Sequence, residues 1–281
     1  MTFSDFMNES IKTLQKADVP TARLDVLVLS ESVTGKDRSW LLAHPEFKFN
    51  EKQLTLLNKQ VERRAKHEPL AYIRGKSEFY GREFLVTPAT LQPRPETETM
   101  VDLLKQIQDK ERRAKNKVIV DVGTGSGCLA ITAKLEWPEM EVYATEINKN
   151  ALKIAKRNAI KLRADVEFYQ GNLLEPIFAL SPQPLVLLCN LPYVPDAHTI
   201  NKAAMQEPRV AIFGGEDGLD LYREMFGQLK GKGQRAKSEV NPDYILTESL
   251  PFQHKALEKI AEKHGYKLSR TEDFIQQFAR A

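Results

Sequence analysis

Three glycines in Asp121-Val-Gly-Thr-Gly-Ser-Gly127 follow the apolar run Val118-Ile-Val120 and precede a segment of helical spacing that continues through Leu135. A strand that ends on such a turn and hands over to a helix brings backbone close to a ligand and leaves N–H groups free to meet it. Tight helix-strand packing can demand the same residues, so the turn alone does not say what binds. It does commit this part of the chain to a strand-turn-helix unit.

The unit recurs in outline. Beyond Glu96 the pattern predicts a helix to about Ala114, the strand at Val118, and further strands near Glu141 to Thr145, Val166 to Tyr169, Leu185 to Cys189 and Tyr244 to Thr247, mostly with helices between. This is the pattern of a doubly wound α/β sheet. From Ser4 to about Lys66, apolar residues recur at helical spacing, among them Leu24, Val26, Leu27, Leu29, Leu54, Leu56, Leu57 and Val61, and predict a small helical domain. Phe79, Tyr80, Phe84 and Val86 around Gly81 suggest a hairpin between the two. The expected division is 1–75 helical, 76–92 hairpin linker and 93–281 α/β domain. Gly231 to Ser238 reads as an exposed basic loop.

Glu146 ends the strand after the glycines, about twenty residues on, where a carboxylate can accept hydrogen bonds from both ribose hydroxyls of an adenosine. Dinucleotide enzymes and S-adenosylmethionine enzymes share that arrangement. Asn172, at the end of the following strand, can read an adenine edge or simply cap a turn.

The most informative tetrapeptide is Asn190-Leu-Pro-Tyr193, at the end of the fourth strand and at the carboxyl edge where open α/β sheets hold their ligands. An amide or aromatic amine nitrogen is a poor nucleophile because its lone pair is delocalised, so it needs positioning more than deprotonation. The side-chain carbonyl of Asn190 and the backbone carbonyl of Leu191 can take both N–H bonds of an NH2 group and aim its lone pair outward. Pro192 restricts Leu191, and Tyr193 offers a flat wall whose ring should matter more than its hydroxyl. A strand-ending proline turn with a core tyrosine is the alternative.

Composition narrows the function classes. With 41 basic against 38 acidic residues, the net charge of +3 is too balanced for an electrostatic nucleic-acid binder, and direct nucleic-acid binding is not expected. Cys128 and Cys189 lie in apolar runs without zinc spacing, and the five histidines are scattered, so reduced thiols and no metal are expected. The first residues lack a basic region followed by an apolar stretch, and no run of apolar residues is long enough to span a membrane, which points to the cytoplasm.

Over most of its length the sequence resembles the release-factor glutamine N5-methyltransferase family. The likeness is carried by Ala22-Arg-Leu-Asp25, Glu68-Pro-Leu-Ala-Tyr-Ile-Arg-Gly75, Glu78-Phe-Tyr-Gly81, Pro93-Arg-Pro-Glu-Thr-Glu98, Asp121 to Gly127, Glu207-Pro208 and Gly214-Gly-Glu-Asp-Gly-Leu219. The resemblance implies a Rossmann-like class I methyltransferase domain with a seven-stranded sheet, a helical substrate-recognition domain and a β-hairpin linker. It also implies S-adenosyl-L-methionine as methyl donor, S-adenosyl-L-homocysteine as product, and class 1 peptide-chain release factors as partners of a monomeric enzyme. The acceptor would be the glutamine of a Gly-Gly-Gln loop. By position, Gly123, Thr124, Gly125, Ser126 and Gly127 would surround the methionine part of the cofactor, Glu146 the ribose, and Asn172 with Leu173 the adenine. Asn190, Leu191, Pro192 and Tyr193 would hold the glutamine amide, with Asn190 also beside the cofactor.

The sequence departs from the family pattern in three ways. Leu191 stands where a first proline is usual, Glu146 and Asn172 stand where aspartates are common, and the ending Thr271 to Arg280 lacks an expected glycine, so a diverged last strand is foreseen. Asn-Leu-Pro-Tyr also resembles the motif of ribosomal RNA adenine dimethyltransferases. Methylation of a ribosomal-protein glutamine or of an adenine, or a non-catalytic S-adenosylmethionine-binding scaffold, are the competing expectations.

Overall fold

The computed structural model describes residues 1–110, 118–180, 184–229 and 240–281; the basic stretch Gly231–Ser238 and the end of the helix expected to reach Ala114 lie outside them. The chain divides into two compact units, Met1–Lys76 with Ile200–Gln206, and Ser77–Thr199 with Glu207–Ala281.

In the first unit, α1 (Phe3–Lys16), α2 (Ala22–Thr34), α3 (Arg38–Ala43), α4 (Glu51–Ala65) and α5 (Leu70–Arg74) enclose Phe6, Leu14, Val26, Leu29, Leu41 and Leu57. Thr2 and Asn50 open α1 and α4 with reciprocal capping boxes, which satisfy orphan N–H groups at each start. Ala22 and Asp25, three apart on α2, face inward, whereas Leu24 and Leu56 fall outside the apolar stripe at 48% and 45% exposure. Asp25 accepts from Arg64 Nε at 2.6 Å, and Arg64 Nη1 donates to the Glu68 carbonyl at 3.1 Å, so one buried ion pair ties α2, α4 and the following turn.

The second unit begins with the hairpin β1 (Lys76–Phe79) and β2 (Arg82–Leu85), turned by Tyr80 (φ 48°) and Gly81 (φ 69°), the pair of positive angles that a type I′ turn requires. Phe79 and Phe84 meet edge-on at 6.2 Å and pack into the same core as Met100, Leu103 and Leu104 of α6 (Glu98–Lys110). Next come β3 (Val118–Val122), α7 (Cys128–Glu136), β4 (Glu141–Glu146), α8 (Lys149–Leu162), β5 (Glu167–Gln170), β6 (Val186–Cys189), α9 (Asp220–Leu229), β7 (Tyr244–Glu248), α10 (His254–Lys263), β8 (Tyr266–Glu272) and β9 (Ile275–Arg280). The seven strands form one sheet in the order β5-β4-β3-β6-β7-β9-β8. β3 to β7 run parallel, and β9 lies antiparallel between β7 and β8.

Both faces of the sheet are covered. Ile119, Val186, Leu188 and Leu246 enter the core on one face, and Val120, Leu187, Cys189 and Ile245 enter the core on the other. Strands buried twice read as unbroken apolar runs, which is why Leu185 to Cys189 shows no alternation. The C-terminal end forms a regular strand whose Ile275 and Phe278 are fully buried, and Asp273 (φ 49°) supplies the reversal before it. No described helix is long and apolar enough to cross a membrane.

Removing one member of a buried ion pair leaves an uncompensated charge, at a cost of roughly 3 kcal/mol or more. Asp25→Ala is therefore expected to lower the stability of the helical unit by about that amount, measured as loss of hydrogen-exchange protection in α2 and α4. Unchanged protection there would remove the pair from the account of this unit.

Candidate active site

The strand-turn-helix between β3 and α7 is held from three sides. The N–H groups of Gly123 and Thr124 both donate to the Thr145 carbonyl, at 3.0 and 2.9 Å, tying the turn to the end of β4. Asp121 sits beneath it, fully buried, and its Oδ2 accepts from the Thr124 hydroxyl at 2.5 Å and the Ala130 N–H at 3.0 Å. Burial pushes this carboxyl up to about 6, offset in part by those two donors. Asn158 of α8 completes the frame, with Oδ1 accepting from the Leu85 N–H at 2.7 Å and Nδ2 donating to the Leu85 and Ser126 carbonyls at 3.0 and 2.9 Å. At Gly127 (φ 84°) a Cβ would lie 2.9 Å from Ile131 Cδ1 and 3.2 Å from Ala155 Cβ, so here the glycine is required by helix packing.

Glu146 is placed at the carboxyl end of β4, with one oxygen accepting from the Gly125 N–H at 2.9 Å and the other from the Asn148 N–H at 2.8 Å. Burial raises its carboxyl above the ordinary range, and these backbone donors work against that rise. Each oxygen keeps a further lone pair for a hydroxyl. Asn172 donates through Nδ2 to Glu224 on α9, which leaves its carbonyl as the free end. Leu173 follows at φ 47° and is buried.

A cleft enclosing about 660 Å³, part of it open to solvent, is lined by Gly123, Gly125, Glu146, Asn172, Leu173 and Asn190 among others. A smaller cleft of about 400 Å³ is lined by Pro93, Arg94, Thr97, Thr124, Ser126 and Asn190 among others. Gly123 and Asn190 border both. Of the positions expected to meet a cofactor, all but Gly127 line one or both of these clefts. Thr124 and Ser126 lie on the smaller one, with the Thr124 hydroxyl turned inward to Asp121. Leu191 and Pro192 line the larger cleft, whereas Tyr193 lines neither.

What holds the tetrapeptide was not legible beforehand. Asn190 Nδ2 donates to Glu248 Oε2 at 3.0 Å and to Thr97 Oγ1 at 2.9 Å, while the Thr97 hydroxyl itself donates to Glu248 Oε2 at 2.7 Å. Tyr193 donates its hydroxyl to Glu248 Oε1 at 2.9 Å. Glu248, at the end of β7, is 1% exposed, and burial raises its carboxyl while Thr97, Tyr193 and Asn190 draw it back down. Burial likewise drives the Tyr193 hydroxyl far above its ordinary value, with the Glu248 charge adding to the rise. The hydroxyl thus has a partner that the ring-only expectation for Tyr193 did not include.

Behind the loop, Gln253 donates to the carbonyls of Tyr193 and Asp217, both at 2.7 Å. A Cβ at Gly218 (φ 79°) would stand 2.0 Å from the Tyr193 carbonyl oxygen, so the Gly214–Leu219 segment must be glycine-rich to back the loop this closely. Tyr222 hydrogen-bonds the Cys189 and Glu248 carbonyls at 2.9 and 2.6 Å. Burial lifts its hydroxyl well above the usual range, against which the backbone N–H groups of Leu191 and Glu248 act. Leu191 is 1% exposed and packs on Gly123. Glu207 accepts from the Gln92 N–H at 3.0 Å and from Arg94 at 2.5 Å, anchoring the Pro93–Glu98 segment that carries Thr97. Among the described residues no cluster of His, Cys, Asp and Glu could hold a metal ion.

Comparison with known proteins places this geometry in a family context. Residues 5–75 match the family described as PrmC N-terminal domain, and residues 97–207 match the Methyltransferase small domain. A release factor glutamine methyltransferase of Koribacter versatilis is 38% identical over 82% of this chain and 81% of its own length. One of Bacillus subtilis is 40% identical over 70% of this chain and 69% of its own length. A bifunctional methyltransferase of Rickettsia bellii is 33% identical over 98% of this chain and 53% of its own length. Among solved structures, the hMettl16 catalytic domain in complex with a 3′UTR hairpin has a TM-score of 0.51 at 12% identity, covering 84% of this chain and 83% of that one, a likeness of fold.

Lifting the Asp121 carboxyl from 3.8 to about 6 corresponds to roughly 3 kcal/mol. The folded protein holds this proton more tightly than the unfolded chain, so the contribution is complete below the unfolded value and is lost as pH rises through about 6. Asp121→Asn stays neutral and is expected to gain on the parent protein, by up to about 3 kcal/mol, in denaturant unfolding followed from about pH 4 to about pH 7. A pH-independent difference between the two would contradict this account of the carboxyl.

Proposed function

The chain belongs to the release factor glutamine methyltransferase family, and from that premise we propose that it methylates the side-chain amide of the glutamine in the Gly-Gly-Gln loop of class 1 release factors, giving N5-methylglutamine. It is an S-adenosylmethionine-dependent protein-glutamine methyltransferase with a Rossmann-like fold. The observation that carries the finer reading is the place of Asn190 on the border of both clefts, where a methyl donor on one side and an amide on the other would share one side chain.

The larger cleft fits the donor. Its volume is in the range of small-molecule sites, and a Cβ at Gly125 would meet nothing within 4 Å, so the turn leaves room where a ligand would lie. Gly123 and Gly125 would flank the methionine portion, Glu146 would take the ribose hydroxyls, and Asn172 with Leu173 would meet the adenine. When bound, S-adenosylmethionine supplies an electrophilic methyl on a sulfonium sulfur. Asn190 Oδ1, which faces no protein donor among the described hydrogen bonds, and the Leu191 carbonyl would accept the two N–H bonds of the glutamine amide. Held this way, the amide plane is fixed and the nitrogen lone pair is directed at the donor cleft, an orientational gain of up to roughly 7–11 kcal/mol in ideal cases. On transfer the N–C bond would form as the donor's S–CH3 bond breaks and its sulfur leaves as a neutral thioether, and the methylated, cationic amide nitrogen would then shed one N–H proton, acidic enough for water to accept it.

The helical unit would help to hold the release factor. On this reading the enzyme is monomeric and cytoplasmic, and its near-balanced charge suits a protein partner better than nucleic acid.

Methyl transfer from labelled S-adenosylmethionine to a purified class 1 release factor tests the proposal, beside a Gly-Gly-Ala loop variant and ribosomal RNA. Label is expected on the wild-type factor alone, and Asn190→Ala is expected to reduce the rate by about 100-fold or more, the scale associated with misplacing a reacting group. Label on RNA, or on the alanine loop, would overturn the assignment of the acceptor.

A further inference from the structure

Glu248 is a buried carboxylate for which no Lys or Arg partner is found among the described ion pairs, and it is satisfied instead by three neutral donors. Stability alone gives little reason to keep such a group, because apolar side chains of similar volume fill a core at least as well. Its chemistry gives a better one. An ionised carboxylate only accepts hydrogen bonds, so whatever faces it must donate.

With Glu248 ionised, this places every proton in the cluster. The single Thr97 hydroxyl proton goes to Glu248 Oε2, so the Thr97 oxygen presents a lone pair to Asn190. Asn190 therefore meets two acceptors on its inner side, Thr97 Oγ1 at 2.9 Å and Glu248 Oε2 at 3.0 Å. Only its NH2 end satisfies both. Rotating the amide by half a turn would set Oδ1 against two oxygens and turn the NH2 outward, where it would repel the donors of an incoming amide. The second carboxylate oxygen holds the Tyr193 hydroxyl at 2.9 Å, so one side chain anchors the first and last residues of the tetrapeptide.

We propose that Glu248, acting with Thr97, is the positioning residue that locks the Asn190 side-chain amide with its carbonyl toward the substrate and holds Tyr193 by its hydroxyl. This rests on the glutamine-methylation reading for what the outward carbonyl grips, but the orientation of Asn190 is a property of the chain itself. Glu248→Gln keeps shape and volume while offering one oxygen and one NH2. Its own amide can then turn either way, and the selection of one Asn190 orientation is lost. Thr97→Val removes the relayed acceptor without changing shape, and Thr97→Ser restores the hydroxyl.

Two measurements decide it. In the first, kcat and KM for a class 1 release factor are determined with the parent protein, Glu248→Gln, Thr97→Val and Thr97→Ser, together with the Kd of S-adenosylmethionine by calorimetry. Glu248→Gln and Thr97→Val are expected to lower kcat at least about 10-fold while the cofactor Kd stays within about three-fold, and Thr97→Ser to recover most of the loss caused by Val. In the second, the Asn190 side-chain amide resonances, identified by their absence in Asn190→Ala, are followed by NMR. They are expected to shift and to exchange faster with water in Glu248→Gln and Thr97→Val.

Unchanged kcat in Glu248→Gln, or a loss matched by loss of cofactor binding, overturns the positioning role. Should Glu248→Gln fail to fold, Thr97→Val and its serine rescue carry the decision. If the parent protein transfers no methyl group at all, the functional reading fails, and unmoved Asn190 resonances in Thr97→Val would separately refute the lock.

Discussion

Everything at this site depends on β3 being paired in parallel on both sides, to β4 through Val118↔Glu141 to Val122↔Thr145 and to β6 through Ile119↔Val186 to Asp121↔Leu188. The strand order reverses there, and the connections after β3 and β6 leave on opposite faces, so the chain must part above the carboxyl edge. Into that gap the sheet delivers the glycine turn from β3, Glu146 from β4, Asn190 from β6 and Glu248 from β7. None of these groups needs a long flexible reach, because each is the last or next residue of a strand.

The sequence was most legible where function follows from local order. A strand, three glycines and a helix are contiguous, so the turn was readable, as were the carboxylate that follows and the tetrapeptide after a fully apolar strand. What stayed hidden are contacts between distant residues. Thr97 and Glu248 are 151 positions apart, and nothing near either one says that they meet. Glu207 and Gln92, 115 positions apart, are equally silent. The family segments around them were visible as motifs, but their tasks were not: one is an anchored strap, another a glycine turn backing the Tyr193 carbonyl. The last strand was underestimated for a related reason. A missing glycine suggested divergence, yet Asp273 adopts the positive φ, and Ile275 and Phe278 seat β9 by entering the cores on its two faces.

The frame around the glycine turn and the frame around Asn190 solve the same problem with opposite chemistry. Asp121 and Asn158 fix the turn by accepting and donating to backbone, leaving the side-chain positions of the glycines empty. Glu248, Thr97 and Gln253 fix the loop after β6, whose Asn190, Leu191 and Pro192 line the larger cleft. In both cases a buried carboxyl bears a desolvation cost, seen as the upward displacement of Asp121 and Glu248, in exchange for a defined geometry above it.

Leu191 joins the loop to its surroundings through backbone and side chain at once. Where the family pattern has proline, this chain has a residue whose backbone N–H is turned to the Tyr222 hydroxyl and whose side chain fills the space over Gly123. Proline could supply neither. Leu191→Pro would therefore do more than stiffen the loop, because it would also withdraw an N–H from the buried Tyr222 hydroxyl and empty the space over Gly123.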